Sequence, residues 1–188
     1  MPNAQDLAFV QQATASGLAE VSEGQIAIAK SSNPAVRNFG QRMVTDHTAA
    51  NNQLSAIAAQ EHIQQSPVLT GSQQQDIVTL EILSDPQFTR TYLDMQVFDH
   101  IETVRQFFQE TTTGQDPTLR AFALQQLPTL VQHLDSAIAL DVAGRGLPPT
   151  SATVNAFISS FAPDLPRGSA AGAATSDPEH PMPIPLHS

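Results

Sequence analysis

Glu20, His47, His100 and His133 are side chains of the kinds that hold metal ions, and each lies near the middle of a long stretch of helical periodicity. Their spacing from the chain's breaks places them together. Glu20 lies 13 residues before Asn33 and His47 lies 14 after it, so an antiparallel hairpin turning at Asn33 sets them level. His100 and His133 lie 15 residues before and 18 after Gln115. At ~1.5 Å per residue these are level to within about 5 Å. Three neutral imidazoles and one carboxylate in one layer make a nitrogen-rich site suited to Zn²⁺, Cu²⁺, Fe²⁺ or Ni²⁺. Glu23, Asn51, Tyr92 and Gln96 are the candidate partners that would orient such ligands from outside.

A competing reading needs no metal. A mid-helix histidine is commonly a hydrogen-bonded core residue, and Asp46, Asp99 and Asp135 stand beside these histidines in sequence as ready partners. His62 falls at a helix end, and His180 and His187 fall in the tail, outside the layer. Met43 and Met95 read as packing residues. There is no cysteine, which removes disulfides, thiolate metal sites and cysteine nucleophiles. Serine-nucleophile, phosphate-loop and dinucleotide fingerprints are absent, so no catalytic residue is assigned.

The elements that must carry the layer announce their own starts. Asn33-Pro34, Asp85-Pro86 and Asp116-Pro117 each put a capping side chain before a proline at the first helical position. The pattern predicts four long helices over about 4–30, 34–62, 86–113 and 117–143, the third stopped by Gly114 and the fourth by Gly144 and Gly146. Each is roughly 27 residues, about 40 Å. Apolar residues recur at intervals of three and four: Leu7, Val10, Ala13, Gly17, Val21, Gly24 and Ile28 in the first helix; Val36, Phe39, Met43, Leu54 and Ile57 in the second. The third carries Tyr92, Val97, Ile101, Val104 and Phe108, and the fourth Leu119, Phe122, Leu127, Leu130, Leu134 and Ile138. Gly17 and Gly24 flank Glu20 on one face and leave room for a close helix neighbour. Pro128 interrupts the fourth helix, with a kink expected near Leu124.

The connection from Ile63 to Asp85 is long and contains a short helix, Gln73 to Leu83, with Ser72 as its expected cap. Its span of about 50 Å is enough to return along the whole bundle. The fold class is therefore all-α, a ferritin-like antiparallel four-helix bundle over 4–146 with a long crossover between its second and third helices. A short helical extension is expected within 147–162, and a disordered Pro-, Ala- and Gly-rich tail over 163–188. The starts of the second and fourth helices repeat, Asn33-Pro34-Ala35-Val36-Arg37-Asn38-Phe39-Gly40 against Asp116-Pro117-Thr118-Leu119-Arg120-Ala121-Phe122-Ala123. That is the mark of two related helical hairpins.

Composition restricts partners. The 188 residues carry a formal net charge of −10 with only 8 Lys and Arg, which disfavours nucleic acid and anionic membrane surfaces. No apolar run reaches the ~18 residues a membrane span needs. A second copy of the chain or another protein remains the open kind of partner. The N-terminus as written lacks the features of a signal peptide and reads as cytoplasmic; a trimmed leader would instead place the protein in the periplasm or envelope.

Several segments together resemble a known family: Gly17-Leu18-Ala19-Glu20-Val21; Val36-Arg37-Asn38-Phe39 leading to Met43-Val44-Thr45-Asp46-His47-Thr48; Phe88-Thr89-Arg90-Thr91-Tyr92 with Gln96-Val97-Phe98-Asp99-His100; and Leu127-Pro128-Thr129-Leu130-Val131-Gln132-His133-Leu134. The chain, over about Asp6 to Val142, resembles the ferritin-like bacterial family known as domain of unknown function 4142. The resemblance implies a ferritin-like bundle and no established activity. Many members look exported to the bacterial envelope, and this chain departs from them in lacking a leader. The carboxylate two-iron enzymes of wider ferritin-like type use a Glu-x-x-His pair on each of two helices, which this bundle lacks. Two functions follow as expectations: a non-catalytic helical module, with a stress-related role in view, or a bundle holding one transition-metal ion through Glu20, His47, His100 and His133 for storage, sensing or protection. A redox or hydrolytic enzyme with an open metal position is a third and weaker expectation.

Overall fold

The computed structural model describes residues 1–148; the expected extension and tail lie, from residue 149 onward, outside the described residues. Five helices follow one another: α1 Ala4–Lys30, α2 Pro34–Gln60, α3 Gly71–Ile82, α4 Gln87–Thr113 and α5 Pro117–Gly144, with no strand among the described residues.

Local chemistry sets most helix ends as expected. The Asn33 side chain accepts the N–H of Ala35, and the Asp116 side chain accepts those of Thr118 and Leu119, each before a proline that has no N–H to satisfy. Asn3 and Asp6 form a reciprocal capping box at α1. α4 differs from expectation. It begins at Gln87 with Pro86 in the cap position, following a cis Asp85-Pro86 bond. The Asp85 carboxylate still caps, from one residue further out: it accepts the N–H of Thr89 and also that of Ser32, tying the start of α4 to the α1–α2 turn. α3 starts at Gly71 and is capped by Thr70, not Ser72. The Thr70 hydroxyl takes the Gln73 N–H while the Gln73 side chain takes the Thr70 N–H, a reciprocal pairing that Ser72 cannot make. α2 ends at Gln60. His62 beyond it is exposed with φ of 56°, and Ile63 N–H reaches back to Ala58 O, so a left-handed residue closes the helix and Ile63 is buried behind it.

Cross-helix bonds fix the topology. Asn3 reaches Thr113, Gln5 reaches Gln109, Glu23 meets Gln96 and Ser31 meets Thr89, so α1 and α4 run antiparallel. Glu61 with Thr118, Gln53 with Gln125 and Arg42 with Gln132 make α2 and α5 antiparallel. The α1–α2 and α4–α5 hairpins are the most closely packed pairs, and the crossover carries α3 over α1 and α4. α2 and α4 consequently point the same way, as a single long crossover requires.

The core holds aromatic clusters at its two ends. Phe9, Phe107 and Phe122 meet with ring centroids 4.9–6.3 Å apart at the end where α1 starts. Phe39, Tyr92 and Phe88 meet at 5.9–6.2 Å at the other. Phe107 is the buried ring on α4, and Phe108, expected inside, is 43% exposed. The 3.6-residue period passes between these two positions, and the edge-to-face contact with Phe9 selects Phe107. Leu7 is likewise exposed, the interior at its level being taken by Asp6. α5 continues through Pro128; Pro128 and Leu124 both lie on its exposed side, so the hydrogen bond that the proline cannot give the Leu124 carbonyl is lost away from the core.

Gly24 and Gly40 are the closest approach of α1 and α2. A Cβ on Gly24 would stand 2.7 Å from the Gly40 carbonyl oxygen, and one on Gly40 would stand 2.8 Å from that of Gly24. Gly17 makes room of another kind, its missing Cβ being replaced by the Asn51 side chain.

Candidate metal centre

His47 of α2, His100 of α4 and His133 of α5 meet between the two aromatic clusters. One ring nitrogen from each lies within 4.8 Å of the other two, and the ring centroids are 5.3–5.6 Å apart. All three are buried, His100 completely.

Hydrogen bonding decides which nitrogens are bare. His100 Nδ1 lies 2.9 Å from the Gln96 carbonyl oxygen, which can only accept, so Nδ1 carries the proton and Nε2 is left as a lone pair. His133 Nε2 donates to the Asp46 carboxylate at 2.8 Å, which leaves Nδ1 as the lone pair. His100 Nε2, His133 Nδ1 and His47 Nε2 are buried and bonded to nothing in the protein. The carbonyl and carboxylate behind His100 and His133 are the partners that metal-bound imidazoles ordinarily have. Arg42 in turn braces Asp46 at 3.3 Å.

The electrostatics keep these rings neutral. Burial, then His100 and His133, pushes His47 well below the usual imidazole range. Burial, then His133, holds His100 at about 3. Burial lowers His133 as well, against the upward pull of Asp46. Neutral imidazole is the form that ligates.

Glu20 stands beside this layer. Its Oε1 is 3.5 Å from His100 Nδ1, the nitrogen already engaged by Gln96, so it lies behind the ring and away from the bare nitrogen. It groups instead with Glu23 and Asp99, one oxygen of each within 4.8 Å of the others. Of the four residues that the spacing set level, the three histidines converge and the carboxylate belongs to a neighbouring cluster. Gln96 serves both groups, its carbonyl on His100 and its amide nitrogen 2.8 Å from Glu23 Oε2. The Tyr92 hydroxyl is buried without a partner near Glu20 and Glu23. Asn51 lies over Gly17 and lines a small cavity together with His47 and His133.

The sequence family described as Domain of unknown function (DUF4142) matches residues 1–140 of the chain. The chain belongs to that family. No curated protein matches it. Among solved structures, this DUF4142 bundle is similar to a DUF305 fragment from Deinococcus radiodurans, with a TM-score of 0.66 and 14% identity over 78% of this chain and 99% of that one. At that identity the likeness shows the helical fold alone.

Within the DUF4142 chain, Asp46, expected as a partner for the histidines, meets His133 across the bundle, while Asp99, expected in the same role, is the third carboxylate beside Glu20 and Glu23, a grouping that sequence reasoning missed. A signal existed for each. Asp46 and Asp99 directly precede a histidine, so they point about 100° round the helix from it, toward the adjacent helix of the bundle. Asp135 has no such neighbour; it is exposed on α5 and joins neither group.

Proposed function

We propose that this protein is a non-catalytic metal-binding module that holds one transition-metal ion on His47, His100 and His133. The observation that carries this reading is the set of three buried imidazole nitrogens without hydrogen-bond partners. An unpaired buried acceptor is unfavourable by about 1–3 kcal/mol. A cation among the three would satisfy all of them at once, and the outer nitrogens of His100 and His133 are already held by Gln96 and Asp46. The donor set suits Zn²⁺, Cu²⁺, Fe²⁺ or Ni²⁺, the ions that imidazole favours. Storage, sensing or protection against metal stress are the roles consistent with it.

A second reading has its own support. Burial neutralises the three imidazoles, so the bundle is able to fold without an ion and the layer to act as a structural feature of an interaction module. Metal analysis of the purified, tag-free full chain separates the two readings, run beside His47→Ala/His100→Ala with circular dichroism to confirm its helices. Near-stoichiometric metal in the native protein, lost in the folded variant, is the expected result. No uptake of Zn²⁺, Cu²⁺, Fe²⁺ or Ni²⁺ on incubation would leave the interaction module.

A further inference from the structure

The carboxylate group beside the imidazole layer has its own donors and its own approach from solvent. Glu20 and Glu23 are one helical turn apart on α1 and are 3% and 1% exposed, while Asp99 reaches them from α4. The charges that bear on them are negative: Glu23 and Asp99 on Glu20, and Asp99 and Asp76 on Glu23, with Asp76 contributed by the crossover helix. Burial and these neighbours push Glu23 up to about 8, and burial with Asp76 pushes Asp99 up to about 6.

Two further oxygens, independent of the carboxylates, lack partners at the same place. Gln96 is completely buried, and its Oε1 bonds to nothing although its amide nitrogen is fixed 2.8 Å from Glu23. The Tyr92 hydroxyl is completely buried and unbonded as well, close enough to feel both glutamates. Glu20 Oε2 is a third such atom. Buried oxygens left without partners beside a set of carboxylates are what a cation would satisfy. A groove lined by Ser16, Glu20, Thr70, Gln73, Asp99 and Thr103 opens between α1, the crossover and α4, giving an ion a way in.

We propose that Glu20, Glu23 and Asp99, with Gln96 Oε1, form a second cation site that takes an oxygen-preferring divalent ion of the Mn²⁺ class. It is chemically distinct from the imidazole site, because all-oxygen donors select hard cations whereas imidazoles favour the later transition metals. The proposal does not depend on the imidazole site being filled.

The test is Mn²⁺ titration of the full chain, followed by the electron paramagnetic resonance signal of free Mn²⁺. The variants are His47→Ala, Glu23→Gln and Asp99→Asn. Expected are saturable Mn²⁺ binding near one equivalent, retention of that binding in His47→Ala, and its loss in Glu23→Gln and Asp99→Asn. Co²⁺ absorption from the imidazole site should persist in both carboxylate variants. Glu23→Gln preserves shape and removes a buried ionisable group, so its metal-free melting temperature should equal or exceed that of the parent. If it fails to fold, Asp99→Asn, at a partly exposed position, decides alone. No saturable Mn²⁺ binding, binding unchanged in both carboxylate variants, or Mn²⁺ that competes directly with Co²⁺ would overturn the proposal.

Discussion

His133 shows how much of a metal site lies outside its ligand atoms. Its Nδ1 is free because Asp46 holds Nε2–H at 2.8 Å, and Asp46 is held in turn by Arg42. Replacing Asp46 with Asn substitutes a neutral amide for that carboxylate and releases the ring to the other tautomer. Loss of such a partner typically lowers metal affinity by about 10–100-fold. Asp46→Asn should therefore bind Zn²⁺ more weakly by that factor, read by competition against a chromophoric chelator, while helical content is unchanged. An unaltered affinity would show that Asp46 does not orient the ligand. At this scale the sequence was partly legible. The heights of Glu20, His47, His100 and His133 followed from residue counts, but rotation about each helix axis did not. Glu20 is at the right level and faces the back of His100, because one turn of α1 presents Glu20 and Glu23 together toward Asp99.

The helices themselves were the most legible part, since a capping residue followed by proline and an unbroken apolar period leave few alternatives. Asn33 and Asp116 head α2 and α5 as their chemistry demands. What escaped sequence reading depends on contacts across elements. Asp85 accepts Ser32 N–H from the far side of the α1–α2 turn, which places the cap outside the expected position. Burial adds an unfavourable push on Asp85, yet the bonds from Ser32 and Thr89 hold its carboxyl at about 2. The two small-residue contacts of α1 should respond differently to the same substitution. Ala at Gly24 drives its Cβ against the Gly40 backbone, which cannot yield without separating α1 from α2; overpacking of this kind destabilises by about 1–3 kcal/mol. Ala at Gly17 meets only the movable end of Asn51, and the ~1 kcal/mol gain in helix propensity offsets that displacement. Urea unfolding should thus rank Gly17→Ala clearly above Gly24→Ala, and equal stabilities would contradict the close α1–α2 contact.

For the molecule as a whole, the buried ionisable groups make stability depend on pH in two opposing ways. The folded imidazoles titrate below their unfolded range, His100 at about 3, so their contribution is present above about 6.5 and is lost as pH falls toward 3. The folded carboxyls titrate above theirs, Glu23 at about 8 and Glu110 at about 7, so their contribution is present below about 4.5 and is lost as pH rises through those values. Between about 4.5 and 6.5 the two trends oppose one another. Above 6.5 only the carboxyls remain in play, and each proton difference changes stability by roughly 1.4 kcal/mol per pH unit. The metal-free protein should accordingly be less stable at pH 8 than at pH 6, as read by denaturant unfolding in a chelator. A flat profile, or one rising from pH 6 to pH 8, would mean that Glu20 and Glu23 are not buried as protonated acids.

The pairing of helices has a geometric consequence for whatever adjoins the bundle. α1 is antiparallel to α4, which is antiparallel to α5, so the first and last helices point the same way. Ala4 and Gly144 therefore sit at opposite poles of a rod about 40 Å long, the length of a 27-residue helix. A hairpin-paired bundle of the simple up-and-down kind would bring both to one pole. Here the crossover turns the domain into a spacer: the first residue of α1 and the last of α5 are held a full bundle length apart, with the histidine layer near the midpoint between them.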